Sequence, residues 1–179
     1  MIESIQRSLV EMGPIFRVPR WRLLVIGYGN ELLGDDAAGP LLARRIGRCR
    51  YAGTKVLVAP MLLPEMAVDM SQSDRVLFVD ASVRCSKGRV RLSPVMKARH
   101  HPALSCAYSP ETLFSLCGSL SGRRPKSWVI EVPSARFDLG RGLSETTVEG
   151  MEKSARLIRR WVQAIQCSFT RKASIHTLS

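Results

Sequence analysis

Four short apolar runs constrain what this chain can fold into: residues 21–26 (WRLLVI), 55–59 (KVLVA), 75–79 (RVLFV) and 127–132 (SWVIEV). Each has strand length, and each is too continuously apolar for a strand with one wet face. Runs of this kind fit strands buried on both faces of a parallel sheet. The stretches between them carry helix signals. Pro40 precedes Leu41, Leu42 and Ile46 at helical spacing, and Pro64 and Glu65 open a segment reaching Met70. Ser109 stands as a cap before Pro110 and Glu111, so a helix is predicted over residues 109–116. Residues 89–92 predict a short edge strand of hairpin type. Thr146 and Glu149 have capping-box spacing, and Val148, Met151, Ala155, Ile158, Val162 and Ile165 then form one apolar stripe. Strands alternating with helices predict a single three-layer α/β domain over residues 21–167, with a mainly parallel central sheet flanked by helices on both faces. Residues 1–20 are predicted to be an N-terminal extension. Residues 168–179 are predicted to be a polar tail in which His176 is solvated.

Composition narrows the function classes. With 179 residues the chain can bury a core without a disulfide or structural metal. The five cysteines, Cys49, Cys85, Cys106, Cys117 and Cys167, never form a CxxC pair, which argues against a zinc ribbon or a disulfide framework. No apolar run reaches the roughly 20 residues of a membrane span. Glu3, Gln6, Arg7 and Glu11 interrupt what would be the core of a signal peptide, so a cytoplasmic protein is expected. The net charge of +12 favours an acidic partner, but its arginines and lysines are scattered and not interleaved with aromatics. Specific nucleic-acid binding is therefore not expected.

In sheets of this type ligands bind beyond the carboxyl ends of the strands, which singles out the residues just after each apolar run. After the first run comes GYGNELLGDDAAG, Gly27 to Gly39. Gly27 and Gly29 match the start of a dinucleotide fingerprint, but Leu32 stands where the third glycine belongs, and there is no GK[ST]. Asp35 and Asp36 would repel a pyrophosphate, so no nucleotide is expected. After the third run comes Asp80-Ala81-Ser82. Asp36 and Asp80, from separate strand ends, could converge over the sheet. Paired carboxylates repel unless a proton or a cation lies between them. The same residues also have a plain structural reading, in which Asp36 caps the helix at Pro40 and Asp80 caps a turn. Trp128 and Phe114 read as core, and Asp138 and Arg141 as charges that either line the cleft from its opposite rim or are simply solvated.

The motifs VIGYGNELLGDDAAGP (25–40), LLPEMAVDMSQSDRVLFVDAS (62–82) and SPETLFSLCGSLSGRRPKSWVIEVPSARFDLGRGLS (109–144) occur in that order. Together they resemble the nickel–iron hydrogenase maturation proteases, endopeptidases that remove a C-terminal peptide from the hydrogenase large subunit after nickel insertion. The resemblance spans residues 22–165. It implies a compact α/β fold and a site made of an acid in the first loop, an Asp after the third strand and a His shortly before the next helix. By motif the two acids are Asp36 and Asp80. Gly29 and Asn30 would shape the loop beside Asp35. Glu65, read from its own position, opens a helix and favours its dipole, with substrate contact as the alternative. The family's histidine falls on Cys106. His100 and His101 lie five or six residues earlier, so the third ligand is Cys106, His101 or no protein group.

The resemblance thus implies a metal-dependent endopeptidase. Its partner would be a large-subunit precursor that brings its own nickel, and the enzyme is expected to be a monomer. The metal would either polarise the scissile carbonyl while a carboxylate activates water, or only anchor the substrate near a carboxylate base. The alternative is a catalytically impaired homologue that binds a metallated partner.

Overall fold

The computed structural model describes residues 21–85, 88–97 and 108–176, with side chains described as far as Gln166. Five strands form one sheet: β1 (Leu23–Tyr28), β2 (Thr54–Ala59), β3 (Arg75–Ser82), β4 (Arg91–Pro94) and β5 (Lys126–Pro133), in the order β2-β1-β3-β5-β4. All neighbours are parallel except β4, which runs antiparallel to β5. The edge position of β4 agrees with its brevity, but its partner is not the preceding strand. A crossover helix separates β4 from β5, so the hairpin predicted for residues 89–92 does not form.

The crossovers are α1 (Ala38–Arg48), α2 (Met66–Ser71) and α3 (Pro110–Ser121), and α4 (Glu145–His176) follows the last strand. Side chains alternate across β1. Leu23 and Val25 face a core layer with Leu42, Ile46, Ile158 and Val162 of α1 and α4. Leu24 and Ile26 face the other layer, with Met66 and Met70 of α2 and Leu113 and Cys117 of α3. The sheet is therefore covered on both faces, which explains why the interior strands β1 and β3 carry such continuous apolar runs.

Local chemistry sets the helix ends. Ser109 caps α3 as expected, accepting from the Thr112 amide at 3.2 Å, and Gly122 closes it at φ 67°. The start of α4 differs from the Thr146–Glu149 box. The Ser144 hydroxyl accepts from the Thr147 amide at 3.3 Å, so the cap is Ser144. Glu149 pairs instead with Lys153, and Val148 is 49% exposed, so the apolar stripe begins at Met151. The α4 backbone continues to His176, past Ser168, where the sequence predicts the polar tail.

The strand order reverses between β1 and β3. From β1 the chain crosses to β2 at one edge; the next crossover brings it back to the other side of β1. The carboxyl ends of β1 and β3 thus flank the switch point, the crevice where such sheets bind ligands.

Candidate functional site

The first loop leaves β1 at Tyr28 and doubles back tightly. Gly29 has φ 140°, and a Cβ there would lie 2.1 Å from the Asp36 carbonyl oxygen. Only glycine tolerates that approach. The Asn30 side chain accepts from the Leu32 amide at 3.0 Å, and the Asn30 amide donates to Asp36 Oδ2 at 2.6 Å. Asp36 is therefore fixed in direction by the loop it helps to close; it does not cap the helix at Pro40, because neither the turn before α1 nor α1 itself starts with a side-chain cap. A short 3-10 turn, Gly34–Ala37, then leads into α1. Gly39, in the first turn of α1, lies against the strand ends; a Cβ on it would come within 2.3 Å of the Tyr28 oxygen and 2.7 Å of the Val79 oxygen. This contact brings the Asp36 turn down onto the ends of β1 and β3.

The adjacent acids of the GDD motif have separate tasks. Asp35 is fully buried. Its carboxylate accepts from the amides of Ala135 (2.7 Å), Arg136 (2.8 Å) and Ser144 (2.6 Å), and from the Ser144 hydroxyl (2.7 Å). Burial pushes its carboxyl up, but these donors together outweigh burial and hold it at about 2. Asp35 thus pins the loop after β5 to the loop after β1. The Asp35 amide donates back to the Arg136 oxygen at 2.9 Å, and the Gly140 amide donates to the Leu32 oxygen at 2.9 Å.

Asp80 sits near the end of β3, one residue past Val79, which pairs with Gly27. Its neighbours across the sheet are Tyr28 on β1 and, in register, Glu131 on β5. Burial pushes the Asp80 carboxyl up, and the charges of Asp36 and Glu131 push it further. The Tyr28 hydroxyl and the Ala81 amide donate to it and oppose the rise, leaving it at about 6. The Tyr28 hydroxyl is itself held far above its ordinary range by burial, with the charge of Asp80 adding to the effect. Glu131 is the better satisfied acid: it accepts from the Ser82 hydroxyl at 3.0 Å and pairs with Arg91 of β4 at 3.1 Å.

Asp36 and Asp80 therefore share one electrostatic environment, with Asp80 poised to gain or lose a proton near neutral pH. Among the described residues no group of three or more His, Cys, Asp and Glu side chains is gathered as a ligand set. The arrangement offers two carboxylates whose negative charges oppose each other. Cys106 and His101 lie outside the described residues. Tyr108, the first residue after that stretch, leads into α3, and Glu111 in the first turn of α3 acts electrostatically on Tyr28. Glu65 is exposed just before α2. Asp138 is also exposed, on the loop held by Asp35.

Sequence reasoning missed three contributors: Tyr28, Glu131 and Ser144. Glu131 had a signal, being the one acid inside the apolar run SWVIEV. Around the carboxylates the loops beyond β1, β2, β3 and β5 expose Leu32 (66%), Met61 (47%), Val83 (67%) and Leu139 (75%).

Neither a protein-family model nor a curated protein sequence matches the chain. Solved structures do. The maturation protease HycI from Thermococcus kodakarensis superposes with a TM-score of 0.64 at 22% identity, covering 82% of this chain and 95% of that one. The hydrogenase maturating endopeptidase HybD of Escherichia coli gives a TM-score of 0.60 at 22% identity, with 80% and 93% covered. HybD from Thermococcus kodakarensis gives 0.60 at 22% identity, with 79% and 99% covered. The chain has the fold of the NiFe hydrogenase maturation proteases. The α/β architecture read from the apolar runs is that fold, and the chain spans nearly the full length of these proteins.

Proposed function

We propose that the chain is an endopeptidase of the hydrogenase maturation type, which removes a C-terminal peptide from a nickel–iron hydrogenase large-subunit precursor. The observation that carries this reading is that the charge of Asp36 acts on Asp80 beside the topological switch point of that fold. Nickel is part of the substrate in this proposal. The ion stays in the precursor, and the two carboxylates bind it only in the complex, so metal-free precursor is passed over. In the complex the ionised Asp80 carboxylate takes a proton from the attacking water and returns it to the leaving amine. Asp36, aimed by the Asn30 amide, holds the loaded centre against the crevice. The exposed apolar side chains on the surrounding loops suit a folded polypeptide better than a small molecule.

The test is co-expression with a large-subunit precursor in the presence of nickel, followed by the precursor's mass. Shortening of the precursor supports the proposal. Failure to shorten it, or undiminished cutting by Asp36→Ala, overturns it.

The sequence also favours a second reading, because cysteine stands where the family has histidine. In that reading the chain binds the loaded precursor without cutting it. Cleavage that appears only in Cys106→His selects the second reading; cleavage by the native chain that is lost in Cys106→Ala selects the first and assigns the ligand.

A further inference from the structure

Two of the loops that flank the crevice are laced to each other. Within the first, the Leu32 amide donates to the Asn30 side chain and the Leu33 amide to the Asn30 oxygen, both at 3.0 Å. Both carboxylate oxygens of Glu31 accept from the Arg44 guanidinium of α1. Two backbone ties then join this loop to the one after β5: the Asp35 amide to the Arg136 oxygen and the Gly140 amide to the Leu32 oxygen. These ties bracket residues 137–139, and the Asp35 carboxylate clasps the same loop from inside through Ala135, Arg136 and Ser144. At the seam only a small residue fits, since a Cβ on Gly34 would lie 3.0 Å from the Arg136 oxygen.

This scaffold turns apolar side chains outward. Leu139 is the most exposed large apolar side chain among the described residues, Leu32 is 66% exposed and Phe137 is 40% exposed. A single exposed leucine is ordinary. Here three apolar side chains stand on two loops that are bonded to each other, and the exposed Arg136, Asp138 and Arg141 flank them in sequence. An apolar centre with a charged rim is the anatomy of a protein interface.

We propose that Leu32, Phe137 and Leu139 form a ridge that docks the folded body of the precursor protein, apart from the carboxylates that act on its tail. The Asp36 amide donates to the Leu33 oxygen, and Leu32 stands four residues ahead of Asp36 on the same loop. A polypeptide that reaches Asp36 therefore passes beside the ridge. Side chains this exposed project from the surface, so the partner has to supply the recess. A flexible C-terminal tail has no recess to offer, whereas a folded domain does. The lacing orders the ridge before the partner arrives, which lowers the cost of binding. The identity of the partner rests on the protease reading; the form of the ridge does not.

Nickel-loaded precursor is immobilised and the full chain is passed over it, with cutting followed in parallel by mass. Leu32→Ala with Leu139→Ala is expected to weaken precursor binding about tenfold or more, and to raise KM while kcat changes less than about twofold. Val68→Ala with Leu120→Ala trims two other exposed apolar side chains, on α2 and α3, and is expected to change binding less than about twofold. A synthetic peptide with the precursor's C-terminal sequence should not distinguish the native chain from the Leu32 and Leu139 pair. All four positions are exposed, and an unchanged melting midpoint in each pair checks folding. Equal losses in the two pairs, no precursor binding, or a peptide that loses affinity as much as the precursor does overturns the ridge; cutting by the native chain leaves the protease reading standing in each case. Precursor bound by the native chain but not cut, with binding weakened in the Leu32 and Leu139 pair, upholds the ridge and removes the protease reading. Self-association of the native chain that this pair abolishes, with precursor binding unchanged, overturns the proposal in favour of a contact between copies.

Discussion

Asp35 and Asp80 are acids withdrawn from water at the same end of one sheet, and their surroundings treat them oppositely. Asp35 meets four donors, which outweigh its burial, and its carboxyl is held at about 2. Asp80 meets two donors, Tyr28 and the Ala81 amide, and two negative neighbours, Asp36 and Glu131, and its carboxyl is pushed to about 6. The difference separates an acid that holds the fold together from one whose charge the fold tolerates at a cost. Stabilisation and reactivity compete for the same groups, and this fold places them on different residues. The paired acids of GDD look equivalent in the sequence, yet Asp35 does the fastening while Asp36 faces the crevice.

The largest expected effect is on Asp35. Asp35→Ala removes the acceptor shared by the part-buried Ala135 and Arg136 bonds and by the buried amide and hydroxyl of Ser144, and is expected to cost about 3–5 kcal/mol. In thermal unfolding that is a fall of roughly 10 °C. A loss below about 1 kcal/mol would erase the distinction between the two pockets. The pH dependence follows in sign. Its folded carboxyl lies below the ordinary 3.8, so its stabilisation is present above 3.8 and is lost as pH falls through about 2.

Next comes the hinge between the pockets. Gly39→Ala drives a methyl into the Tyr28 and Val79 carbonyl oxygens, with an expected cost of about 2–3 kcal/mol. Gly142→Ala, where added bulk meets open space, should change denaturation midpoints little.

Asp80 should respond in the opposite direction. Its carboxyl lies above the ordinary 3.8, so the folded state is relatively favoured below 3.8 and loses that advantage as pH rises to about 6. Asp80→Asn keeps an acceptor for Tyr28 and removes the charge. It is expected to stabilise the protein by on the order of 2 kcal/mol near pH 7.5, and by almost nothing near pH 3. Urea midpoints at the two pH values measure this, and a destabilised variant near pH 7.5 would break the comparison. The smallest effect sharpens it: Glu131→Gln removes one of the charges that raise Asp80. The Asp80 carboxyl carbon should then titrate at lower pH by NMR, while Asp35 stays where it was.

How far the sequence foretold this arrangement depends on the distance over which each choice is made. The strands of the sheet interior were legible because burial on both faces leaves a continuous apolar run. The α3 cap was legible because Ser109, Pro110 and Glu111 act within one turn. The α4 cap was not: Thr146–Glu149 is good local chemistry, but Asp35 fixes Ser144 from 109 positions away and wins. The partner of β4 was missed for a similar reason, since pairing with β5 is settled only after the chain has crossed the sheet through α3. The motif placed Asp36 and Asp80 at two strand ends, and the fold brings both to the switch point. Tyr28 and Glu131 could be added only once the register of β1, β3 and β5 was known.

The contact between Arg91 and Glu131 has a consequence that reaches beyond its own strands. Arg91 is 61% exposed on the edge strand, whereas Glu131 is only 14% exposed. Dissolved ions that never enter the crevice can crowd around the guanidinium and loosen its grip on that carboxylate. The Arg91–Glu131 pair is therefore a part of Asp80's surroundings that ionic strength reaches from outside the crevice.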